Sequence, residues 1–180
     1  MKNKLRKKFL AIRNKRHFHL TPKQINQIYL DLVKIIKQKK IKIIGAYYSI
    51  NSELDLSPVL ERLKQKVKIA LPRILKKNLM EFRIWNKHDP LYVNRFGIVE
   101  PSASAKKIVP HLFLTPLLAY DSGYNRLGYG RGYYDHYLSK NKKYLSYGVA
   151  FSFQYCKKIP INNQDVSLKG MITEKGLQTI

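Results

Sequence analysis

The feature that most constrains the fold is the order of elements around a glycine-rich loop in residues 114–138, LTPLLAYDSGYNRLGYGRGYYDHYL. A strand-like apolar segment at residues 108–115 leads into the loop, a helix-like run at residues 133–141 follows it, and a second strand-like segment spans residues 146–151. A strand that returns through a helix to a parallel neighbour almost always makes a right-handed crossover. The order therefore predicts a parallel sheet with this helix packed against one face.

The rest of the chain has the alternating helices and strands that such a sheet needs. Apolar residues recur at helical spacing in residues 2–18, and Thr21 opens a second helix with a capping box and a proline at the first position. Buried-strand patterns follow at residues 41–50, 67–74 and 79–85. A length of 180 residues fits one domain. We expect residues 1–180 to form a single three-layer α/β/α domain, with a mainly parallel central sheet and helices on both faces.

The glycine-rich loop has the chemistry of a phosphate site. Three glycines at alternate positions, beginning with Gly128, let the backbone turn its N–H groups inward and approach an anion closely, at the start of a helix. Arg126 and Arg131 add cationic donors from the same loop. Asp135 offers a hard oxygen ligand for the Mg²⁺ that accompanies a nucleoside triphosphate.

The spacing of the glycines does not match either of two common phosphate-binding motifs. Gly123 and Gly128 stand as in a Walker A motif, but Tyr129 and Gly130 occupy the positions of its Lys and Ser/Thr. The glycines run GxGxG rather than GxGxxG, and no acidic residue follows about twenty positions later to hold a ribose, which argues against a dinucleotide fold. A tight structural turn with surface tyrosines stays open as an alternative from loop chemistry alone.

The formal charge of +24 raises the alternative of a nucleic-acid-binding protein. However, 26 of the 35 basic residues are lysines spread along the chain in singles and pairs, whereas nucleic-acid readers concentrate arginine on one face. We interpret the charge as a solvated lysine surface that would also help to capture polyanionic small molecules. We therefore expect no specific nucleic-acid partner.

Cysteine content and hydropathy bear on the compartment. Cys156 is the only cysteine, so no internal disulfide is possible. No apolar stretch has the length of a membrane span, and the basic N-terminal segment lacks the apolar core of a signal peptide. We expect a cytoplasmic monomer that does not bind membranes.

Residues 125–138, NRLGYGRGYYDHYL, resemble the signature of the 5-formyltetrahydrofolate cyclo-ligase family, whose pattern reads approximately RLGxGxGYYD. Residues 96–101, FGIVEP, are similar to the family's FGIxEP segment, and residues 159–166, IPINNQDV, resemble its closing segment. The chain departs from the pattern at Lys169, where a second Asp usually stands, and returns to it in residues 171–177. The resemblance therefore extends over nearly the whole chain.

This resemblance implies an enzyme that uses ATP to convert 5-formyltetrahydrofolate into 5,10-methenyltetrahydrofolate, with ADP and phosphate as the other products. Phosphorylation of the formyl oxygen would turn a very poor leaving group into phosphate, after which N10 of the folate closes the ring. The implied partners are ATP and a reduced folate, and the implied cofactor is Mg²⁺ with the ATP.

The resemblance also implies the site residues. Lys2 and Arg6 match the spacing of a family Lys and Arg that contact ATP phosphates, and Arg13 lies on the same helical stripe beside the buried face. The ATP site would comprise Lys2, Arg6, Arg126, Leu127, Gly128, Tyr129, Gly130, Arg131, Gly132, Tyr133 and Tyr134. The folate site would comprise Tyr48, Glu53, Phe96, Tyr133 and Tyr134. The catalytic candidates are Arg126, Arg131 and Tyr134, and the metal ligands are Asp135 and Asp165.

Two other functions stay open on sequence alone. A nucleic-acid-binding protein would use the basic surface and the interleaved tyrosines, and its affinity would fall steeply with salt. A different ATP-dependent phosphotransferase using the same loop would leave a stably phosphorylated product. In isolation, Glu53 also fits a surface carboxylate and Phe96 also fits a packed core residue.

Overall fold

The structure, a computed structural model, describes residues 1–76, 79–86, 88–94 and 97–179. Its α-helices are α1 (Lys2–Arg16), α2 (Pro22–Gln38), α3 (Ser57–Leu63) and α4 (Tyr133–Ser139). Its strands are β1 (Ile43–Gly45), β2 (Lys68–Ile74), β3 (Met80–Ile84), β4 (Leu91–Val93), β5 (Val99–Pro101), β6 (Lys107–Ile108), β7 (Leu112–Pro116), β8 (Ala119–Tyr120), β9 (Arg126–Leu127), β10 (Leu145–Val149), β11 (Gly170–Thr173) and β12 (Gly176–Thr179). No helix in these ranges is long and apolar enough to cross a membrane.

An eight-stranded sheet forms the centre of the molecule, in the order β12-β11-β10-β7-β1-β2-β3-β6. The consecutive strands from β11 to β2 are parallel to one another. At one edge β12 pairs antiparallel, and at the other edge β3 and β6 do so. Two short hairpins, β4 with β5 and β8 with β9, lie outside this sheet. The sheet is therefore mainly parallel, as the sequence predicted.

The crossover around the glycine-rich loop is present. Strands β7 and β10 are adjacent and parallel, with Thr115 opposite Gly148, and α4 lies between them in the chain. Side chains of the neighbouring segments can pack against β10 because Gly148 has no side chain: an added Cβ would stand 2.4 Å from the sulfur of Met171 on β11. The predicted order of strand, glycine-rich loop, helix and parallel strand is thus confirmed.

Side chains on alternate positions of the inner strands build a core on each face of the sheet. On β7, Leu112 and Leu114 belong to one buried cluster with residues of α2 and α3, whereas Phe113 belongs to a second cluster with Leu138 of α4. A strand covered by helices on both faces needs this pattern, because successive side chains point in opposite directions. The arrangement has three layers, α/β/α, and confirms the predicted fold class.

The two N-terminal helices form at the positions that the capping box and the apolar spacing predict. Helix α2 begins with the predicted capping box, in which Thr21 accepts from the backbone N–H of Gln24 and the side chain of Gln24 accepts from the N–H of Thr21. Helix α1 places Phe9 in a third buried cluster with Leu118 and Leu127, which flank the glycine-rich loop. The loop is therefore packed directly against α1.

Two expected strands are shorter than their apolar patterns indicated. Residues 41–50 were expected to form one strand, but only the short β1 forms, because Tyr47 and Tyr48 leave the sheet to line a cavity. Residues 108–115 do not form one strand either. Pro110, which has no N–H to donate to a ladder, separates β6 from β7.

Candidate active site

A cavity of about 1200 Å³ lies between the sheet, the glycine-rich loop and the start of α1. Tyr47, which follows β1, and Pro116, which ends β7, both line it, so the cavity is at the carboxyl ends of these parallel strands. Ligands of open α/β sheets bind at this edge. The volume exceeds that of most single-ligand sites and leaves room for two substrates.

The expected site residues that the structure describes all line this cavity. They are Lys2, Arg6, Tyr48, Glu53, Asp165 and each residue from Arg126 to Asp135. Phe96, expected in the folate site, lies outside the described residues. The structure thus brings together segments that are up to 163 residues apart in the chain.

The glycine-rich loop connects β9 to α4 through backbone angles that favour glycine. Gly130 has φ +101°, and Gly132, which directly precedes α4, has φ +71°. A Cβ added at Gly130 would also stand 3.2 Å from the guanidinium carbon of Arg6. The loop backbone and α1 therefore meet at one point of the cavity wall.

Two cations of α1 reach the cavity beside the loop. Arg6 donates from Nε to the carbonyl oxygen of Gly128 over 3.0 Å. The Nζ atom of Lys2 lies 2.6 Å from Oδ2 of Asp165. Together with the exposed Arg131, these side chains make one part of the cavity strongly positive, as the binding of a polyphosphate requires.

The two expected metal ligands are each paired with a cation. Oδ1 of Asp135 accepts from Nη2 of Arg126 over 2.6 Å and from the N–H of Val166 over 3.1 Å. Oδ2 of Asp165 makes the ion pair with Lys2. Within the described ranges, no group of three or more His, Cys, Asp or Glu side chains is placed to hold a metal ion.

Asp135 and Asp165 nevertheless fit Mg²⁺ that arrives with a nucleotide. Each carboxylate uses one oxygen in the contacts above, which leaves its second oxygen for another ligand. Mg²⁺ is commonly bound by one or two protein carboxylates, while phosphate oxygens and water complete its six ligands. The donor set is therefore sufficient only when the phosphates of a nucleotide are also present.

Glu53 is held in the cavity wall by three groups. Oε1 accepts from the hydroxyl of Tyr129 over 2.6 Å, and Oε2 accepts from the N–H of Ile50 over 3.1 Å. The guanidinium of Arg13 stands 3.8 Å from Oε1, and the Glu53 side chain is only 5% exposed. Burial raises the pKa of Glu53, while the contacts to Tyr129, Ile50 and Arg13 act in the opposite direction.

Arg13 is the functional candidate to which the sequence analysis assigned no role. It is 1% exposed and lies behind the cavity wall, where it donates to Tyr129 Oη over 2.7 Å and to Ser52 Oγ over 3.1 Å. The signal that could have found it is its position on the helical stripe of Lys2 and Arg6. A buried arginine needs acceptors, and Tyr129 and Ser52 supply them beneath the helix.

The tyrosine of the loop motif that precedes Asp135 has an unusual environment. The hydroxyl of Tyr134 is buried and makes no hydrogen bond within the described part of the chain, although the residue lines the cavity. Burial raises the pKa of Tyr134 far above its ordinary value, so this hydroxyl stays protonated. Leaving a buried hydroxyl unpaired costs about 1–3 kcal/mol, which favours a ligand atom as its missing partner.

The fold and the cavity together define a class: a three-layer α/β protein with a glycine-rich loop and a cluster of cations at the carboxyl ends of its parallel strands. Comparison with known proteins narrows this class to one family. The model of the 5-formyltetrahydrofolate cyclo-ligase family matches residues 1–174. The chain belongs to this family.

Individual relatives agree with the family match. The chain is 30% identical over 159 residues to the 5-formyltetrahydrofolate cyclo-ligase of Haemophilus influenzae, with 83% of each chain covered. It resembles the NMR structure of Aquifex aeolicus 5,10-methenyltetrahydrofolate synthetase with a TM-score of 0.79 and 29% identity, covering 99% of this chain and 92% of that one. For the 5,10-methenyltetrahydrofolate synthetase of Mycoplasma pneumoniae the TM-score is 0.73 at 25% identity, covering 96% of this chain and 98% of that one.

Proposed function

We propose that this chain converts 5-formyltetrahydrofolate and ATP into 5,10-methenyltetrahydrofolate, ADP and phosphate. Membership of the cyclo-ligase family supports this activity. The observation that carries it is the single cavity shared by the glycine-rich loop, the cations of α1, and Glu53 with its neighbouring tyrosines. Because the phosphoryl group passes from one substrate to the other, both must bind in one cavity, with the reacting atoms in contact.

The nucleotide would bind along the glycine-rich loop. Lys2, Arg6 and Arg131 would neutralise its phosphates, and the loop backbone from Leu127 to Tyr133 would come close to them because its glycines carry no side chain. Arg126 would act from below the loop, where its bond to Asp135 holds the guanidinium in place. Arg126 and Arg131 would counter the charge that spreads over the phosphoryl group during transfer.

The reduced folate would bind against Glu53 and the tyrosines. A carboxylate accepts up to four hydrogen bonds, and Glu53 uses one acceptor position on each oxygen for Tyr129 and Ile50, so it can still accept from N–H groups of a pterin. The rings of Tyr48, Tyr133 and Tyr134 would contact the flat pterin. Phe96 remains a proposed member of this site.

The chemistry is two displacements that these side chains orient. The formyl oxygen attacks the γ-phosphorus and ADP leaves, which activates the formyl carbon. N10 then attacks that carbon, the C–O bond breaks with its electrons going to phosphate, and the N10 proton is lost. Tyr134, as a neutral donor, would stabilise the negative charge that develops on the former formyl oxygen as it leaves with phosphate. The reaction needs no protein nucleophile, so Cys156 and the histidines have no assigned role.

Mg²⁺ would be held by Asp135 and Asp165 together with the phosphates of ATP. When bound there, it would supply positive charge to the β- and γ-phosphates. Lys2 would then exchange its carboxylate partner for a phosphate oxygen, since Asp165 is its ion-pair partner in the structure.

The decisive experiment mixes the protein with Mg·ATP and 5-formyltetrahydrofolate and follows the near-ultraviolet absorbance of the methenyl product. Product should form only with both substrates present, at one ADP for each methenyl group. No absorbance change from a folded protein would overturn the proposal, and a stable phosphorylated folate would identify the phosphotransferase alternative instead. The monomeric state and the cytoplasmic location stay predictions, the first of which size-exclusion chromatography tests directly.

A further inference from the structure

Tyr129 connects the loop proposed to bind nucleotide with the carboxylate proposed to bind folate. Its backbone lies between Gly128 and Gly130, but its hydroxyl reaches Glu53, 76 residues earlier in the chain, over 2.6 Å. The same hydroxyl accepts from Nη2 of Arg13 over 2.7 Å, and the Arg13 guanidinium also lies 5.6 Å from the centre of the Tyr129 ring. Three segments of the chain therefore meet at one oxygen atom.

The direction of these hydrogen bonds follows from which groups can donate and which can accept. A guanidinium only donates, so the hydroxyl oxygen of Tyr129 accepts from Arg13. The single hydroxyl proton of Tyr129 is then free to be given to Glu53, which must accept it on Oε1. The N–H of Ile50 likewise requires an acceptor on Oε2. Both oxygens of Glu53 are thus used as acceptors, an arrangement that favours the ionised carboxylate, which only accepts.

We propose that Arg13 and Tyr129 are positioning residues that keep Glu53 ionised and correctly oriented to accept hydrogen bonds from the reduced folate. This inference rests on the proposed function, because it takes a reduced folate as the ligand of Glu53. Neither residue needs to touch the reacting atoms. Arg13 does not line the cavity, and only the hydroxyl of Tyr129 contacts the carboxylate.

Arg13 is the only cation among the groups that face Glu53 in the described residues. The others are tyrosines from three elements: Tyr129 on the loop, Tyr134 on α4 and Tyr47 after β1. Burial raises the pKa of each of these tyrosines, so they stay neutral near pH 7. Because burial raises the pKa of Glu53 and these two contacts oppose that rise, loss of Arg13 or of the Tyr129 hydroxyl should raise the pKa of Glu53 further and shift its ionisation to higher pH.

The test measures binding of 5-formyltetrahydrofolate without nucleotide, by isothermal titration calorimetry from about pH 6 to 8.5. Tyr129→Phe should raise the dissociation constant about tenfold at pH 7, the usual size of one lost hydrogen bond to a charged group. The deficit should shrink as the pH rises, because a larger share of Glu53 is then ionised. A purely structural role would give the same loss at every pH. Binding of Mg·ADP should not show this dependence on pH, because the group that titrates is Glu53 and not the loop backbone.

Two further variants show whether the effect passes through Glu53. In a Glu53→Gln background, Tyr129→Phe should add less than about twofold, because the charged acceptor is already gone. Arg13→Lys keeps the charge, but a lysine has no planar fork with which to reach both Tyr129 and Ser52. Its loss of folate affinity should therefore depend on pH and be smaller than that of Tyr129→Phe. If Arg13→Lys does not fold, Tyr129→Phe still decides the matter, since that side chain is 45% exposed.

Tyr155→Phe is the matched control, because Tyr155 is 49% exposed and outside the cavity. It should bind folate as the unchanged protein does. Unchanged folate binding by Tyr129→Phe at all pH values, or an equal loss in the Glu53→Gln background, would overturn the positioning role. A failure of the unchanged protein to bind 5-formyltetrahydrofolate at all would instead overturn the proposed function.

Discussion

Arg126 and Asp135 stand nine residues apart in the chain, and their side chains meet at 2.6 Å. Arg126 lies in β9, the strand before the glycine-rich loop, and Asp135 lies in the first turn of the helix after it, so their ion pair closes the loop at its base. The side chain of Arg126 is 4% exposed and also donates to the carbonyl oxygen of Val166. One guanidinium therefore joins the loop, α4 and the segment that follows β10.

Arg126→Lys tests whether the bonds of Arg126 to Asp135 and Val166 stabilise the loop. A lysine has no planar fork with which to bond Asp135 and Val166 together. We expect the free energy of unfolding to fall by about 1–2 kcal/mol and the KM for ATP to rise, measured by urea denaturation and steady-state kinetics. Arg62→Lys is the control, because Arg62 is exposed and does not line the cavity. Equal stability of both variants would contradict a closing role for Arg126.

Arg131→Ala tests whether Arg131 stabilises the charge of the transition state without contributing to the stability of the fold. Arg131 is exposed at the cavity, so its loss should leave the free energy of unfolding nearly unchanged, whereas kcat should fall on the order of 100-fold through lost stabilisation of the transferred phosphoryl group. Lys76→Ala removes an equal charge from an exposed position outside the cavity lining and should leave turnover unchanged. Similar losses in the two variants would mean that general surface charge, rather than Arg131, assists the reaction.

Tyr134→Phe should separate stability from function. The hydroxyl of Tyr134 is buried without a partner in the described residues, so its removal should leave the free energy of unfolding equal or raise it by about 1 kcal/mol. Folate binding and kcat should both weaken, because the hydroxyl is proposed to find its partner on the substrate. Urea denaturation and turnover on the same preparation give both values. Lower stability together with full activity would show that Tyr134 has a structural role instead.

Features encoded by residues close together in the sequence could be predicted, whereas features that depend on contacts between distant segments could not. The capping box at Thr21 and the crossover through the glycine-rich loop were predictable because their signals lie within a few residues or within one supersecondary unit. The end of β1 was not, because Tyr47 leaves the sheet in response to a cavity built by other segments.

The candidate site shows the same division. The glycine-rich loop and its arginines could be proposed as a phosphate site from spacing alone. The bond between Tyr129 and Glu53 could not, because it spans 76 residues, and the bond between Arg13 and Tyr129 spans 116. No local pattern encodes such a contact, which depends on how α1 packs across the loop. The stripe of basic residues on α1 indicated only the direction in which Arg13 points.

Asp165→Asn tests the proposed metal ligand. The amide is a weaker Mg²⁺ ligand than the carboxylate, and the Lys2 ion pair at 2.6 Å would also be lost. We expect the Mg²⁺ concentration that gives half-maximal turnover to rise at least about fivefold, while saturating Mg²⁺ restores part of the activity. Glu61→Gln, which removes the same charge from the exposed face of α3, is the control. An unaltered Mg²⁺ requirement would exclude Asp165 from the metal site, and turnover without any divalent cation would exclude the site itself.

Glu53→Gln has a predictable effect on the pH dependence of stability. Since burial raises the folded-state pKa of Glu53, the folded protein binds this proton more tightly than the unfolded chain does. That contribution is complete below the ordinary carboxyl pKa and is lost as the pH rises through the raised value. Glutamine does not titrate, so the stability of Glu53→Gln relative to the unchanged protein should improve as the pH rises from about 4.

Urea denaturation at several pH values measures this difference. Glu61→Gln, on the exposed face of α3, serves as the control and should follow the unchanged protein more closely. A constant difference between Glu53→Gln and the unchanged protein across the pH range would mean that Glu53 has no raised pKa in the folded state. The same variant should bind 5-formyltetrahydrofolate poorly at every pH, so any gain in stability would come with a loss of function.

The wall of the cavity is made from segments far apart in the sequence, with Lys2 bonded to Asp165 and Arg126 bonded to Val166. During synthesis on a ribosome, the helix that carries Lys2 emerges early and must wait for the segment around Asp165 before that wall can close. A nascent chain halted shortly before this segment leaves the exit tunnel would already contain the loop, Glu53 and Arg13. We expect it to retain a nucleotide poorly, so the capacity for catalysis should arise only after the segment around Asp165 has left the tunnel.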